Sequence, residues 1–164
     1  MHKLLNEENK TNIQIVEYTS KYNSAFKNLN KEWISAYFKM EEADYKALDN
    51  ADSYIIENGG CILIALFNNE PVGVCALIKM NDNEYDYELA KMAVSPKVQG
   101  KRIGLTLGEA IIEKAKSLGA LKIYLESNTI LVPAINLYIK LGFKEVFGRP
   151  SPYERVNIQM ELVF

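Results

Sequence analysis

Histidine is almost missing from this chain. Its 164 residues include one, His2, in a polar amino-terminal stretch. A histidine-based catalytic triad and a multi-histidine metal site are thereby excluded. Cysteine is nearly as scarce, with Cys61 and Cys75 each inside an apolar run. If those runs form a hairpin turning at Asn69-Glu70, Cys61 falls near Ile78 and Cys75 near Ile64, so the two are not opposite. No disulfide is expected, and two small buried thiols in a reduced, cytoplasmic setting are. Long apolar runs are lacking too. None approaches the ~20 residues of a bilayer-spanning helix, so no membrane partner is expected. The opening "MHKLLNEENKTN" has no apolar core of signal-peptide length. Charge of one sign is also absent: 19 Lys and Arg stand against 21 Asp and Glu. No basic excess marks a nucleic-acid partner. No tight acidic cluster advertises a metal site, and none is expected.

What is present suits one globular domain over residues 12–164, preceded by a flexible tail over residues 1–11. Apolar residues make up 48% of the chain, enough for a core without disulfide or metal staples. No repeat or low-complexity linker interrupts it. "NIQIVEY" (residues 12–18) alternates as a strand. Over residues 21–40, Tyr22, Phe26, Leu29, Trp33 and Tyr37 recur at helical spacing, a stripe read as core. Residues 41–58 are acidic and helical in pieces, closed by Gly59-Gly60. A solvated helix face is the expected reading; an acidic rim that draws a cationic amine is the rival.

"CILIALF" and "VGVCALIKM" flank "NNEP" as a hairpin, and residues 84–94 form a further strand. A loop and a helix ending at Gly119 lead to the strand "LKIYLES", an order that requires a parallel crossover. Pro133 opens a helix that Gly142 stops, and "FKEVF" and "ERVNIQMELVF" close the chain as strands. The predicted fold is α/β (α+β): a mixed, mostly antiparallel central sheet flanked by helices on both faces, with one β-α-β parallel crossover.

The loop Gln99-Gly100-Lys101-Arg102-Ile103-Gly104 sits at a helix mouth. Helix N-termini expose unpaired N–H groups and a partial positive charge, which suits an anion. The loop is neither a Walker loop nor a dinucleotide fingerprint. By itself it reads equally as a phosphate cradle or as a plain helix start. With "MAVSP" before it and "PAINLYIKLGF" (residues 133–143) after it, however, the chain resembles the GNAT acetyltransferase superfamily. The resemblance covers residues 13–164 and is strongest over residues 88–143. The family's pyrophosphate loop is Gln or Arg, two residues, Gly, one residue, then Gly or Ala. Gln99 and Gly104 take its ends, and Arg102 stands at its first glycine. An arginine there offers its backbone N–H if its φ is negative.

The resemblance implies an N-acetyltransferase that moves the acetyl group of acetyl-CoA directly to a primary amine, with no metal. It implies that the backbone of Gln99, Gly100, Lys101, Arg102, Ile103 and Gly104 binds the pyrophosphate. Met92, Ala93 and Val94 would take the pantetheine arm, and Asn128 would touch the cofactor. Tyr138 matches the family's general acid, although its spacing with Ala134 and Leu141 also fits a helical core face. Glu88 aligns with the base of some members. It is expected to share a strand face with Ala90, Met92 and Val94 by period two; a plain glutamate–lysine pair is the other reading. Met40, Met80 and Met92 are read as core filling. The acceptor is a small-molecule or protein amine. Trp33 and Tyr37 either line its groove or pack in the core. The family also implies a homodimer contact at the strands after Gly148. The rival function is a non-catalytic acyl-CoA-binding regulatory module on the same fold. An interaction domain without CoA leaves the two matching blocks unexplained.

Overall fold

In a computed structural model that describes residues 12–164, seven strands make one sheet. The tail expected over residues 1–11 lies outside the described residues. In chain order the strands are β1 (Ile13–Glu17), β2 (Cys61–Phe67), β3 (Glu70–Lys79), β4 (Tyr87–Val94), β5 (Lys122–Ser127), β6 (Lys144–Val146) and β7 (Ile158–Val163). The helices are α1 (Asn23–Tyr37), α2 (Glu42–Asp49), α3 (Ile103–Ser117) and α4 (Val132–Leu141), with a π-helical turn over Ala51–Ile56. The sheet runs β1-β2-β3-β4-β5-β7-β6. Every pairing is antiparallel except β4 with β5, the predicted crossover through α3.

Two cores follow from strand alternation. Leu63, Ala65, Cys75 and Leu77 pack with Ile103, Leu107 and Ile111 of α3 on one face. Ile62, Ile64, Leu66, Val74 and Ala76 pack with Phe26 of α1, Leu48 of α2 and Ile55 of the π turn on the other. Helices therefore cover both faces, as predicted, and the central strands are buried throughout. Of the predicted α1 stripe, Phe26 is fully buried, while Tyr37 is 61% exposed and does not join the core. Residues three and four apart share one face of a helix. The core takes Phe26, Asn30 and Ile34; Tyr37 continues that face but is the last residue of the helix and stays exposed.

The β2–β3 turn corrects one expectation. Asn68 and Asn69 both take positive φ, 50° and 65°, as a two-residue type I′ turn demands. Glu70 and Pro71 therefore already lie in β3. The register places Cys61 opposite Leu77 and Cys75 opposite Leu63, rather than Ile78 and Ile64. Both thiols are free. No helix among the described residues is long and apolar enough to cross a membrane.

Gly60 joins the π turn to β2 where the backbone of β3 comes closest. A Cβ there would lie 2.2 Å from the Leu77 carbonyl oxygen and 2.9 Å from that of Ile55. Backbone atoms cannot yield as a side-chain tip does. Gly60→Ala is expected to cost on the order of 3 kcal/mol in urea unfolding; a loss under about 0.5 kcal/mol would contradict this packing.

Candidate active site

One extra residue in β4 shapes the site. Val74 pairs with Ala93 and Ala76 with Ala90, so two steps of β3 face three of β4. This is a β-bulge. Lys91 takes φ +52° within it, a left-handed conformation in mid-strand. Its carbonyl oxygen accepts a hydrogen bond from the buried Asn30 amide at 3.1 Å. The bulge breaks the period of two. Leu89, Met92 and Val94 face the α3 core, whereas Ala93 packs in the opposite core. Glu88 therefore does not share a face with Met92 and Val94, contrary to the alternation expected from sequence.

β4 and β5 pair only at Tyr87–Ile123 and Glu88–Tyr124. Beyond Glu88 the strands part, and the β4 edge toward β5 has no strand partner. A cleft of about 160 Å³ opens there, lined by residues of β4, the end of β5, α4 and α1. Glu88, Met92, Asn128 and Tyr138 all line it, so the fold gathers four of the predicted site residues. Trp33 lines it as well and Tyr37 does not.

Burial, chiefly, and the nearby charge of Glu126 push the Glu88 carboxyl up to about 7, against the opposing pull of Lys91 and Arg149. Such a group exchanges a proton readily at neutral pH. Burial also raises the pKa of the Tyr138 phenol, so it stays protonated. Its ring meets Phe143 edge-on at 6.1 Å. Tyr138 thus both packs against the core and lines the cleft. The Asn128 side chain donates to the Arg155 carbonyl at 2.7 Å and accepts from the Ile130 N–H at 2.9 Å.

Behind the cleft lies an ion cluster that the sequence reading missed. Asp44 is fully buried. It accepts from Lys91 Nζ at 2.7 Å, from both Arg155 Nη atoms at 2.6 Å, and from the Glu41 N–H at 2.9 Å. Lys91 Nζ also donates to the Tyr153 hydroxyl at 3.0 Å. Arg155 stacks 4.5 Å over the same ring and reaches Glu41 at 3.3 Å. Burial alone would raise the Asp44 pKa, but Arg155 and Lys91 outweigh it and hold the carboxyl near 2. The expectation of a solvated acidic face thus fails at Asp44 and holds at Glu42, Asp49, Asp52 and Glu57, which are exposed. The available signal was Lys91 itself, a lysine inside the otherwise apolar-patterned "ELAKMAV". Asp44 carried no signal, because its neighbours are equally acidic.

The loop also corrects an expectation. Arg102 has φ +57° and ψ 29°, not a negative φ. It keeps the backbone shape a glycine adopts freely, at a cost of about 1 kcal/mol for a residue with a Cβ. Its carbonyl accepts from the Thr106 N–H at 3.0 Å, which makes it the N-cap of α3. Gly100 has φ +81°. Gln99, Gly100, Lys101 and Arg102 are exposed, and the Ile103 side chain anchors the helix start in the core. Gly104 lies against α4, where a Cβ would sit 3.4 Å from Leu137 and 3.9 Å from Val94. The N–H groups from Gly100 to Leu105 find no acceptor among the described residues. Donors in that state at a helix mouth fit a diphosphate.

Residues 24–143 match the Acetyltransferase (GNAT) family, and the chain belongs to it. YjgM, an uncharacterized N-acetyltransferase of Escherichia coli K12, is 30% identical over 100 residues, 60% of this chain and 60% of its own length. The chain spans less than two thirds of the length of the curated relatives it matches, between 34% and 60% of the first three. A GNAT-family acetyltransferase from Staphylococcus aureus Mu50 superposes with a TM-score of 0.81 at 24% identity, covering 91% of this chain and 97% of that one. The PaiA N-acetyltransferase of Thermoplasma acidophilum, solved in complex with coenzyme A, gives 0.72 at 19% identity, covering 93% of this chain and 99% of that one. At these identities the likeness establishes the fold.

Two stability measurements test the geometry. Asp44→Asn leaves Lys91 without its counter-charge and Arg155 with Glu41 alone, and is expected to lose about 3 kcal/mol. The lowered Asp44 pKa contributes stability that is fully present above the ordinary aspartate range, near 4, and is lost as pH falls through about 2. Wild type should therefore show an acid limb in that window that Asp44→Asn lacks. At the loop, Arg102→Gly trades left-handed strain for chain entropy and should stay within about 0.5 kcal/mol of wild type. Arg102→Val, β-branched, should lose about 1 kcal/mol. Equal losses in both would contradict the left-handed N-cap.

Proposed function

We propose that residues 12–164 act as one catalytic unit that transfers the acetyl group of acetyl-CoA directly to a primary amine. The observation that carries this reading is the parting of β4 and β5, which opens one cleft holding both Glu88 and Tyr138. The unpaired donors at the start of α3 support a diphosphate-binding role for the loop from Gln99 to Gly104. The pantetheine arm lies along the free β4 edge at Met92, Ala93 and Val94. Asn128, with its amide committed to Arg155 and Ile130, shapes the cleft wall rather than donating to the cofactor.

The chemistry needs four things: a held thioester, a neutral amine, a donor for the developing oxyanion, and a proton for the leaving thiolate. An alkyl ammonium titrates near pH 10.4 and is not a nucleophile at neutral pH. Glu88 takes its proton. The amine nitrogen then attacks the thioester carbonyl, and backbone N–H groups of the free β4 edge meet the negative charge on oxygen. Collapse breaks the carbon–sulfur bond, and the Tyr138 hydroxyl protonates the thiolate. The compartment we read as cytoplasmic, in keeping with two free thiols.

Calorimetric titration with acetyl-CoA should give one saturable site per chain; no binding would overturn the proposal. Tyr138→Phe should keep that binding and lose about a hundredfold in kcat. In wild type, kcat/KM should rise with an apparent pKa near 7, and Glu88→Gln should abolish the rise. Stability gives a second readout for Glu88. Its folded pKa is raised, so its contribution is fully present below the unfolded value near 4 and is lost as pH rises through about 7. Glu88→Gln should accordingly be more stable than wild type at pH 8; a less stable variant would contradict the strained carboxylate.

A further inference from the structure

We infer that the acceptor end of this cleft selects an amine carried on a cationic aliphatic chain, an alkyl diamine or polyamine, and disfavours amines that bear a carboxylate. This rests on the acetyltransferase reading and names the acceptor class.

Four acidic or basic side chains line the cleft: Glu88, Glu126, Lys91 and Arg155. Both cations are already committed. Lys91 is bound to Asp44 and the Tyr153 hydroxyl, and Arg155 is bound twice to Asp44 and once to Glu41. Two cations and two carboxylates make that cluster neutral. A substrate carboxylate would have to break a buried ion pair to reach either cation, which is a costly exchange.

The carboxylates that remain are not matched in this way. Glu126 accepts one hydrogen bond, from the Tyr124 hydroxyl at 2.9 Å. Neither Glu88 nor Glu126 has an ion-pair partner among the described residues. Arg149, whose charge also acts on Glu88, is itself paired with Asp82 and Glu84. The cleft thus carries surplus negative charge.

The spacing of the two carboxylates suits two ammonium groups. Glu88 pairs with Tyr124 across the parallel register, and Glu126 lies two residues further along β5 on the same face. One strand across and two residues along is roughly 8 Å at the backbone. Glu88 serves the reacting nitrogen, and Glu126 holds a second ammonium on a short alkyl chain. Trp33 and Phe38 line the same cleft and supply apolar surface for methylenes and ring faces for a cation.

The test measures release of the CoA thiol from acetyl-CoA with three probes: putrescine, butylamine and aspartate, at fixed pH and low salt. Putrescine should exceed butylamine about tenfold in kcat/KM and aspartate about a hundredfold, by one and two decades of differential binding. Glu126→Gln should cut the putrescine value about tenfold and the butylamine value by clearly less. Aspartate turned over as well as putrescine, or an equal loss for both amines in Glu126→Gln, would overturn the inference and leave the acetyltransferase reading intact. Acetyl-CoA binding in calorimetry without turnover of any probe would also overturn it. Failure to bind acetyl-CoA would remove the underlying reading and the inference with it.

Discussion

A buried aspartate on α2, Asp44, holds a lysine of β4 in a left-handed conformation, and the cleft is arranged around that contact. A β-bulge with a lysine at positive φ is strained. Here the ammonium meets a carboxylate and a phenol, and the lysine carbonyl meets the Asn30 amide. The same carboxylate grips Arg155, which fastens the connection between β6 and β7 to the opposite wall. Segments far apart in sequence thus converge on one group: α2, β4 and the approach to β7. A buried ion cluster of this kind is a poor source of net stability. It coincides with the bulge at Lys91 and ties α2, β4 and the approach to β7 together there.

The bulge has two consequences for the cleft. Met92 and Val94 rotate toward the α3 core, while Glu88 stays on the opposite face. And since β5 stops pairing with β4 beyond Glu88, one strand edge is left with free donors beside a raised-pKa carboxyl and a neutral phenol. At the far end of the same strand, the start of α3 presents a further set of unpaired N–H groups with two exposed cations. Donors for an anion and acceptors for a cation are therefore segregated along one strand. That polarity suits a two-substrate transfer in which an anionic carrier and a basic acceptor approach from different sides.

Periodicity and punctuation made most of the fold legible. The alternation in "NIQIVEY", the apolar run "CILIALF", the glycines at 119 and 142, and the strand–helix–strand order across "VSPKVQGKRIGLTLGEAIIEKAKSLGA" each correspond to an observed element. The asparagine turn moved the pairing by two positions and a bulge between Ala65 and Leu66 returned one, which sets Cys61 opposite Leu77. Asn, like Gly, tolerates positive φ, and nothing in the apolar pattern distinguishes a turn at Asn68-Asn69 from one at Asn69-Glu70. The bulge was illegible for a related reason. Period two is a local rule, and Lys91 inside "ELAKMAV" marks an irregularity without saying whether the lysine is bulged with a buried partner or simply faces solvent.

The sequence alone determined the order of the elements, the two-block family pattern, and the positions of Gln99, Gly104, Glu88 and Tyr138, because these rest on local spacing. It also ruled out a multi-histidine metal site, since His2 is the one histidine and composition needs no geometry. The tertiary structure alone decided that Asp44, one of many acids in its segment, is the buried one, and that Lys91 and Arg155 are committed to it. It decided too that Glu88 and Glu126, in a shared cleft, have no ion-pair partner among the described residues. Charge pairing over 47 and 111 positions of chain is a property of packing: it exists only once the strands and helices have closed around it.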